Sequence, residues 1–266
     1  MNKLKSLLKK IPVLGYLFSI LYYIFQLPKY IKKIQQMEKQ KNHNSEELDN
    51  FYIEFENRFR GTRAEIKNRQ SYYLPIIKNV ITHKDDLLLD IACGRGEFLE
   101  LLKDNGIDSK GIDLNNKMIQ ESLKYNLDVT YAEALAYLKS QKEETFKVIT
   151  SFHFVEHISF EQLLELFEYS YKVLKKGGVI IFETPNPENI HVGSCSFYTD
   201  PTHKNPIPPT LLQFVAEFKK FNNVQIHKLT PLKEPKLLNI DDAEDINTLL
   251  KYANQEQDYA IIAYKI

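Results

Sequence analysis

The feature that most constrains the fold is the run Leu87-Leu88-Leu89-Asp90-Ile91-Ala92-Cys93-Gly94-Arg95-Gly96-Glu97-Phe98. An apolar strand passes there into a small-residue turn and then into an amphipathic helix. The strand needs its Leu and Ile to be buried, and the turn needs glycine where φ is positive or a ligand approaches the backbone. The helix that follows offers unpaired N–H groups to a polar ligand. A site for a nucleotide-type cofactor is expected at this turn.

Downstream of residue 86, strand and helix patterns alternate. LLLDIA, GIDL, DVTYA and FKVITSF each lead into a helical stretch, at 97–105, 117–125, 135–141 and 160–174, and GGVIIFE leads into a long loop. NNVQIHKL and DYAIIAYKI close the chain with no full-length crossover helix between them, so antiparallel pairing at the sheet edge is expected. The fold class is therefore α/β, doubly wound, with a mostly parallel seven-stranded sheet, an antiparallel edge strand and N-terminal helices. Three regions are expected: a segment and linker at 1–45, a helical lead-in at 46–85 and the α/β domain at 86–266. The lead-in shows an aromatic helical pattern through Phe51, Phe55, Phe59, Ile66, Tyr73, Ile76 and Ile77.

A composition of 43% hydrophobic and 26% charged residues is that of a globular chain, and 35 basic residues balance 35 acidic ones. That balance gives no reason to expect nucleic acid as a partner. Cys93 and Cys195, the two cysteines, make neither a disulfide framework nor a metal-ligand cluster, so no metal and a reducing cytoplasm are expected. The N-terminus departs from the average. Lys3, Lys5, Lys9 and Lys10 precede the uncharged stretch 11–28, and Lys29, Lys32 and Lys33 follow it. Pro12, Gly15 and the shortness of the stretch suit an interfacial helix better than a span, with Tyr16, Phe18, Tyr22, Tyr23 and Phe25 at the headgroup boundary. Peripheral contact of residues 3–33 with the inner face of the cytoplasmic membrane is expected; a span, or packing on protein, is the alternative.

The turn itself narrows the cofactor. A dinucleotide fingerprint would carry a third glycine where this chain has Leu99, so a pyrophosphate is disfavoured. Asp90 at the strand end would repel phosphate but attract an ammonium. Asp113 ends the second strand 17 residues after Gly96, where an acid can bind two ribose hydroxyls, and Glu133 ends the third strand, where it can accept from an adenine amino group. S-adenosylmethionine is an adenosine cofactor with an ammonium and no phosphate. The chain resembles class I S-adenosylmethionine-dependent methyltransferases over roughly residues 86–183: in the turn Asp90–Phe98, Asp113, Glu133-Ala134, the segment Phe146–His157 and Lys175-Lys176-Gly177-Gly178. Ala92 replaces the first glycine of that family's turn. The resemblance implies cofactor contacts from Asp90, Ala92, Cys93, Gly94, Gly96, Asp113, Leu114, Glu133, Ala134, Phe152 and His153.

Three flanking segments carry a narrower resemblance: Phe51-Tyr52 through Phe59-Arg60-Gly61, Glu183–Asn189, and Phe197–His203. They are similar to bacterial methyltransferases of surface-polysaccharide clusters, including the O-antigen chain-terminating type. This implies a lead-in lying over the cofactor, with Tyr52, Arg60 and Arg69 holding its carboxylate or closing the site, and a glycosyltransferase as partner. An arginine suits a carboxylate, and Arg60 could equally form a surface ion pair. Transfer to an alcohol needs a base, and His157, His203 and Glu156 are the candidates by position. Asp200 is expected to orient His203 or to raise its pKa. The expected reaction is O-methylation of a sugar of a bacterial surface glycan. A lipid, quinone or other small-molecule acceptor, and a noncatalytic scaffold for a glycosyltransferase, are the alternatives.

Overall fold

The computed structural model describes residues 32, 46–229, 244–253 and 255–266. The chain divides into two compact units, residues 1–54 and 55–266. In the first, described residues 46–54 are helical and the Tyr52 ring meets Phe51 edge-on at 5.6 Å. The stretch 11–28, expected at a membrane, lies outside the described residues. Among those described, no helix is long and apolar enough to cross a membrane.

The second unit is built on one seven-stranded sheet. Its strands are β1 Leu88–Ile91, β2 Ser109–Asp113, β3 Val129–Tyr131, β4 Phe146–Phe152, β5 Leu174–Pro185, β6 Asn222–Leu229 and β7 Asp258–Lys265, in the order β3-β2-β1-β4-β5-β7-β6. Strands β1 to β5 pair in parallel, and β7 runs antiparallel to both β5 and β6. The expected fold class is the observed one, with β7 inserted between β5 and the edge strand β6.

Apolar residues run continuously along the strands because both faces of the sheet are covered. Leu89, Ile91, Ile180, Phe182, Ile261 and Ala263 enter one core, while Leu88, Val179, Ile181, Ala260 and Ile262 enter the other. The helices that cover the sheet are α1 Arg63–Gln70, α2 Leu74–Val80, α3 Glu97–Asp104, α4 Asn116–Leu123, α5 Ala134–Ser140, α6 Phe160–Val173, α7 Ile190–Ser194, α8 Pro209–Phe218 and α9 Glu244–Ala253. Several starts are fixed by side chains written into the sequence. Thr62 with Glu65 and Ser159 with Gln162 make capping boxes, Asn115 caps α4 and Glu133 caps α5.

Two differences from the sequence expectation have local causes. The stretch after β5 is not one long loop: α8 crosses back to β6, its Leu212, Val215 and Ala216 buried at helical spacing behind Pro208-Pro209. At Lys175–Gly178 the pairing partner jumps from Leu174 to Val179, so the expected turn is a bulge inside β5. Gly178 permits it, since a Cβ there would stand 2.7 Å from the Lys147 carbonyl oxygen.

The order reverses between β1 and β4, because β2 and β3 lie to one side of β1 and β4 to β6 to the other. A crevice opens beyond the carboxyl ends of strands at such a reversal, and the functional side chains collect there.

Candidate active site

One end of the crevice is built by β1, β2 and the turn between β1 and α3. Asp113 accepts hydrogen bonds from the Gly94 amide (2.9 Å, to Oδ2) and the Asn115 amide (2.7 Å, to Oδ1). Ala92, Gly94 and Gly96 all take positive φ, 56°, 53° and 76°. At Gly96 a Cβ would stand 2.6 Å from Leu127 Cδ1, and at Gly111 one would stand 2.4 Å from Leu99 Cδ1. Leu99 thus fills the space between helix and sheet that the dinucleotide motif keeps small.

Asp90 is 2% exposed, and its Oδ1 accepts from the Thr150 hydroxyl at 2.7 Å. Burial pushes its carboxyl up to about 7, against the opposing pull of the Thr150 hydrogen bond and the Arg60 charge. Arg60 pairs with Glu56 at 3.1 Å, and its charge also bears on Glu183 and Glu156. Glu56 faces the turn, its oxygens 3.8 Å from where a Gly94 Cβ would lie. Arg95 anchors the turn to the lead-in through Asn57 Oδ1 (2.7 Å) and Glu97 (2.7 Å).

The other end gathers groups from β5, β7, the 3-10 turn Val155–His157 and the loop after α7. His153, at φ 54°, lies 3.5 Å from Glu156, 3.3 Å from Glu183 and 3.8 Å from Asp258. Burial opposes its charge, but these carboxylates lift it to about 10, so His153 is an imidazolium. Tyr73 donates to Glu183 Oε2 at 2.5 Å, and burial holds the Tyr73 hydroxyl well above the ordinary phenol range. Glu156 is fully enclosed. Burial would raise its carboxyl, yet the neighbouring His153 charge brings it down to about 2.

Beside Glu156 stand two further imidazoles, their rings 4.7 Å apart. Thr202 Oγ1 donates to Asp200 Oδ1 (2.8 Å) and therefore accepts from His157 Nδ1 (2.8 Å). His203 Nδ1 donates to the Phe197 carbonyl at 2.5 Å. Both rings thus donate through Nδ1, which orients them and leaves Nε2 as the second ring nitrogen. Burial holds His157 below the usual histidine range.

Known proteins identify this framework. A family model described as a methyltransferase domain matches residues 63–254. The chain belongs to the methyltransferase domain family. A crystal structure of a SAM-dependent methyltransferase from Archaeoglobus fulgidus is 38% identical, covers 81% of this chain and 100% of its own, and superposes with a TM-score of 0.72. A ubiquinone biosynthesis O-methyltransferase of Paraburkholderia phymatum is 33% identical over 104 residues, 37% of this chain and 44% of that protein. One of Coxiella burnetii is 26% identical over 117 residues, 42% and 49% of the two chains. The chain spans less than half the length of these curated relatives.

Within this methyltransferase domain, Asp90, Ala92, Cys93, Gly94, Gly96 and Asp113 cluster at the β1–β2 end as the sequence suggested. Cys93 is buried against Gly111, and burial raises its thiol, so it packs rather than reacts. Leu114 follows on the rim, 57% exposed. Glu133 spends its carboxylate on the Leu135 and Ala136 amides, where it caps α5, with Ala134 buried beside it. Phe152 sends its ring into the core, 4.7 Å from Phe98 and 5.4 Å from Tyr73, because it faces inward on β4. Arg69 donates to the Arg60 carbonyl at 2.6 Å, so it braces the lead-in. The Asp200 side chain accepts from the Thr202 amide and hydroxyl, and the Phe197 carbonyl accepts from the His203 ring. Glu56, Tyr73 and Asp258 were not singled out from the sequence, and Glu183 only within a motif. Glu183 had a legible signal, as the acid that ends β5 at the same carboxyl edge. Asp258 starts a strand that runs the other way, so position alone did not mark it.

Proposed function

We propose that this domain transfers the methyl group of S-adenosylmethionine to a hydroxyl of a sugar in a bacterial surface glycan. The observation that supports the cofactor half is Asp113, an acid at the carboxyl end of β2 held in place by the Gly94 and Asn115 amides, beside the positive-φ turn after β1. Leu99 fills the place of a pyrophosphate-type glycine, and Asp90, raised to about 7 by burial, is the acid that a cofactor ammonium beside it would bring back to its ionised form. Arg60 is the cation that suits the methionine carboxylate.

The acceptor half rests on polarity. His153, Glu156, His157, Glu183, His203 and Asp258 make a crevice end rich in hydrogen-bonding groups, which suits a polyhydroxyl better than an apolar ring. In-line transfer depends chiefly on holding nucleophile and methyl in near-attack geometry. The acceptor proton would go to an imidazole Nε2, of His203 or His157, because a carboxylate brought down to about 2 is a weak base. The same reading includes a lead-in that closes over the cofactor with Tyr52, a glycosyltransferase partner, and a position at the inner face of the cytoplasmic membrane through residues 3–33. A second reading, a quinol or other small-molecule acceptor, is favoured by the likeness to ubiquinone biosynthesis O-methyltransferases.

Methyl-labelled S-adenosylmethionine, incubated with the purified full chain and separate glycan, lipid and protein fractions, tests this. Label in glycan supports the proposal. Label in lipid alone rejects the sugar acceptor, and absence of cofactor binding rejects the enzyme.

A further inference from the structure

We propose that Glu156, His157 and His203 form a binding site for a divalent transition-metal cation, of the zinc, cobalt or manganese type. One ligand atom from each of the three residues lies within 4.8 Å of the others. Two observations separate this group from a chance cluster of polar side chains.

The first is the orientation of the rings. Metal-binding histidines characteristically donate their second ring N–H to a carbonyl, hydroxyl or carboxylate, which orients the ring and leaves the other nitrogen as a lone-pair donor. His203 does this through the Phe197 carbonyl, and His157 through Thr202, itself tied to Asp200. His203 Nε2 faces Glu156 Oε1 at 3.8 Å, and one ring nitrogen of His157 completes the group.

The second is Glu156. It is 1% exposed, and its Oε2 accepts from Thr184 at 2.9 Å, while its Oε1 is buried with no hydrogen bond. The nearest nitrogens to Oε1, His153 Nδ1 at 3.5 Å and His203 Nε2 at 3.8 Å, stand beyond hydrogen-bonding range. A buried carboxylate oxygen left without a donor is costly, and a cation would satisfy it together with both lone pairs. Two imidazoles and a carboxylate are the donor set of borderline cations and leave further coordination positions open. Metal–ligand bonds of about 2.1 Å require the three atoms to draw together by about 1 Å, within reach of side-chain rotation.

The neighbouring trio His153, Glu183 and Asp258 is a different case, since Glu183 Oε2 already accepts from Tyr73 and none of the trio's side-chain atoms is buried without a partner. A cation held here would occupy imidazole lone pairs that the proposed reaction uses as proton acceptor, so stoichiometric cobalt binding would exclude His157 and His203 as the base in the metal-loaded protein.

Full-length protein stripped with a chelator and titrated with Co2+ tests it by visible absorption, without cofactor or acceptor. One equivalent should bind, with ligand-field bands that Zn2+ abolishes. His203→Gln and Glu156→Gln should each weaken binding at least tenfold, while His191→Gln, on exposed α7, should not. Circular dichroism identifies any variant that fails to fold, and His157→Gln then replaces it. Absence of stoichiometric cobalt binding to the wild type, or equal affinity in the variants, overturns the site. S-adenosylmethionine affinity of the stripped protein, measured by calorimetry, should be unchanged, which separates this test from that of the proposed reaction.

Discussion

At the scale of single residues, Asp90 and Asp113 are the same amino acid put to different uses by their surroundings. Burial pushes Asp90 from 3.8 up to about 7, so the fold favours the neutral carboxyl. Stability from that group is complete below 3.8 and is lost as pH rises through about 7. Asp90→Asn should therefore raise unfolding free energy at pH 8 by about 1–3 kcal/mol relative to wild type, with the gap closing below pH 4. Urea unfolding across that range measures it; a gap independent of pH would contradict the burial argument. Asp113 is half-buried and already hydrogen-bonded to backbone. Asp113→Ala should weaken S-adenosylmethionine binding by about 2–3 kcal/mol, a loss on the order of 30- to 150-fold by calorimetry.

Elements set the next level, and the turn between β1 and α3 shows how steric limits act there. Gly96 and Gly106 both have positive φ, 76° and 69°. Added carbon at Gly96 would meet Leu127 and Ser122, whereas nothing lies within 4 Å at Gly106. Gly106→Ala should cost only the backbone term, about 1 kcal/mol, and Gly96→Ala about 2 kcal/mol or more because packing strain adds to it. Thermal unfolding of the pair separates the two contributions. Equal losses would mean that the α4 side of the turn yields freely.

For the whole molecule, the decisive element is the last one in sequence. β7 pairs with β5 from Gly178↔Lys265 to Pro185↔Asp258 and with β6 on its other edge. It also places Tyr259, Ile261 and Ala263 in one core and Ala260 and Ile262 in the other. A chain ending at residue 257 should expose both cores and leave β6 without a partner. Loss of the cooperative unfolding transition, followed by near-ultraviolet circular dichroism, is the expected outcome; a retained transition would show β1 to β5 to be self-sufficient.

The sequence by itself determined the strand–helix alternation, the mostly parallel sheet with an antiparallel edge, and which residues gather at the turn after β1; the reversal of strand order that opens the crevice came from the structure. The first three follow from local rules: apolar runs mark buried strands, positive φ calls for glycine, and an acid ending a parallel strand stands at the carboxyl edge. Tertiary structure alone decided the other end. His203 reaches Glu156 from a loop 47 residues away in sequence, and Asp258 reaches His153 from an antiparallel strand. At that end the Glu156, Glu183 and Asp258 carboxylates raise His153 against the cost of burial, while burial lowers His157 and leaves Glu156 Oε1 without a hydrogen bond. Solvent exclusion and the approach of distant segments set those states, and both are properties of the packed molecule.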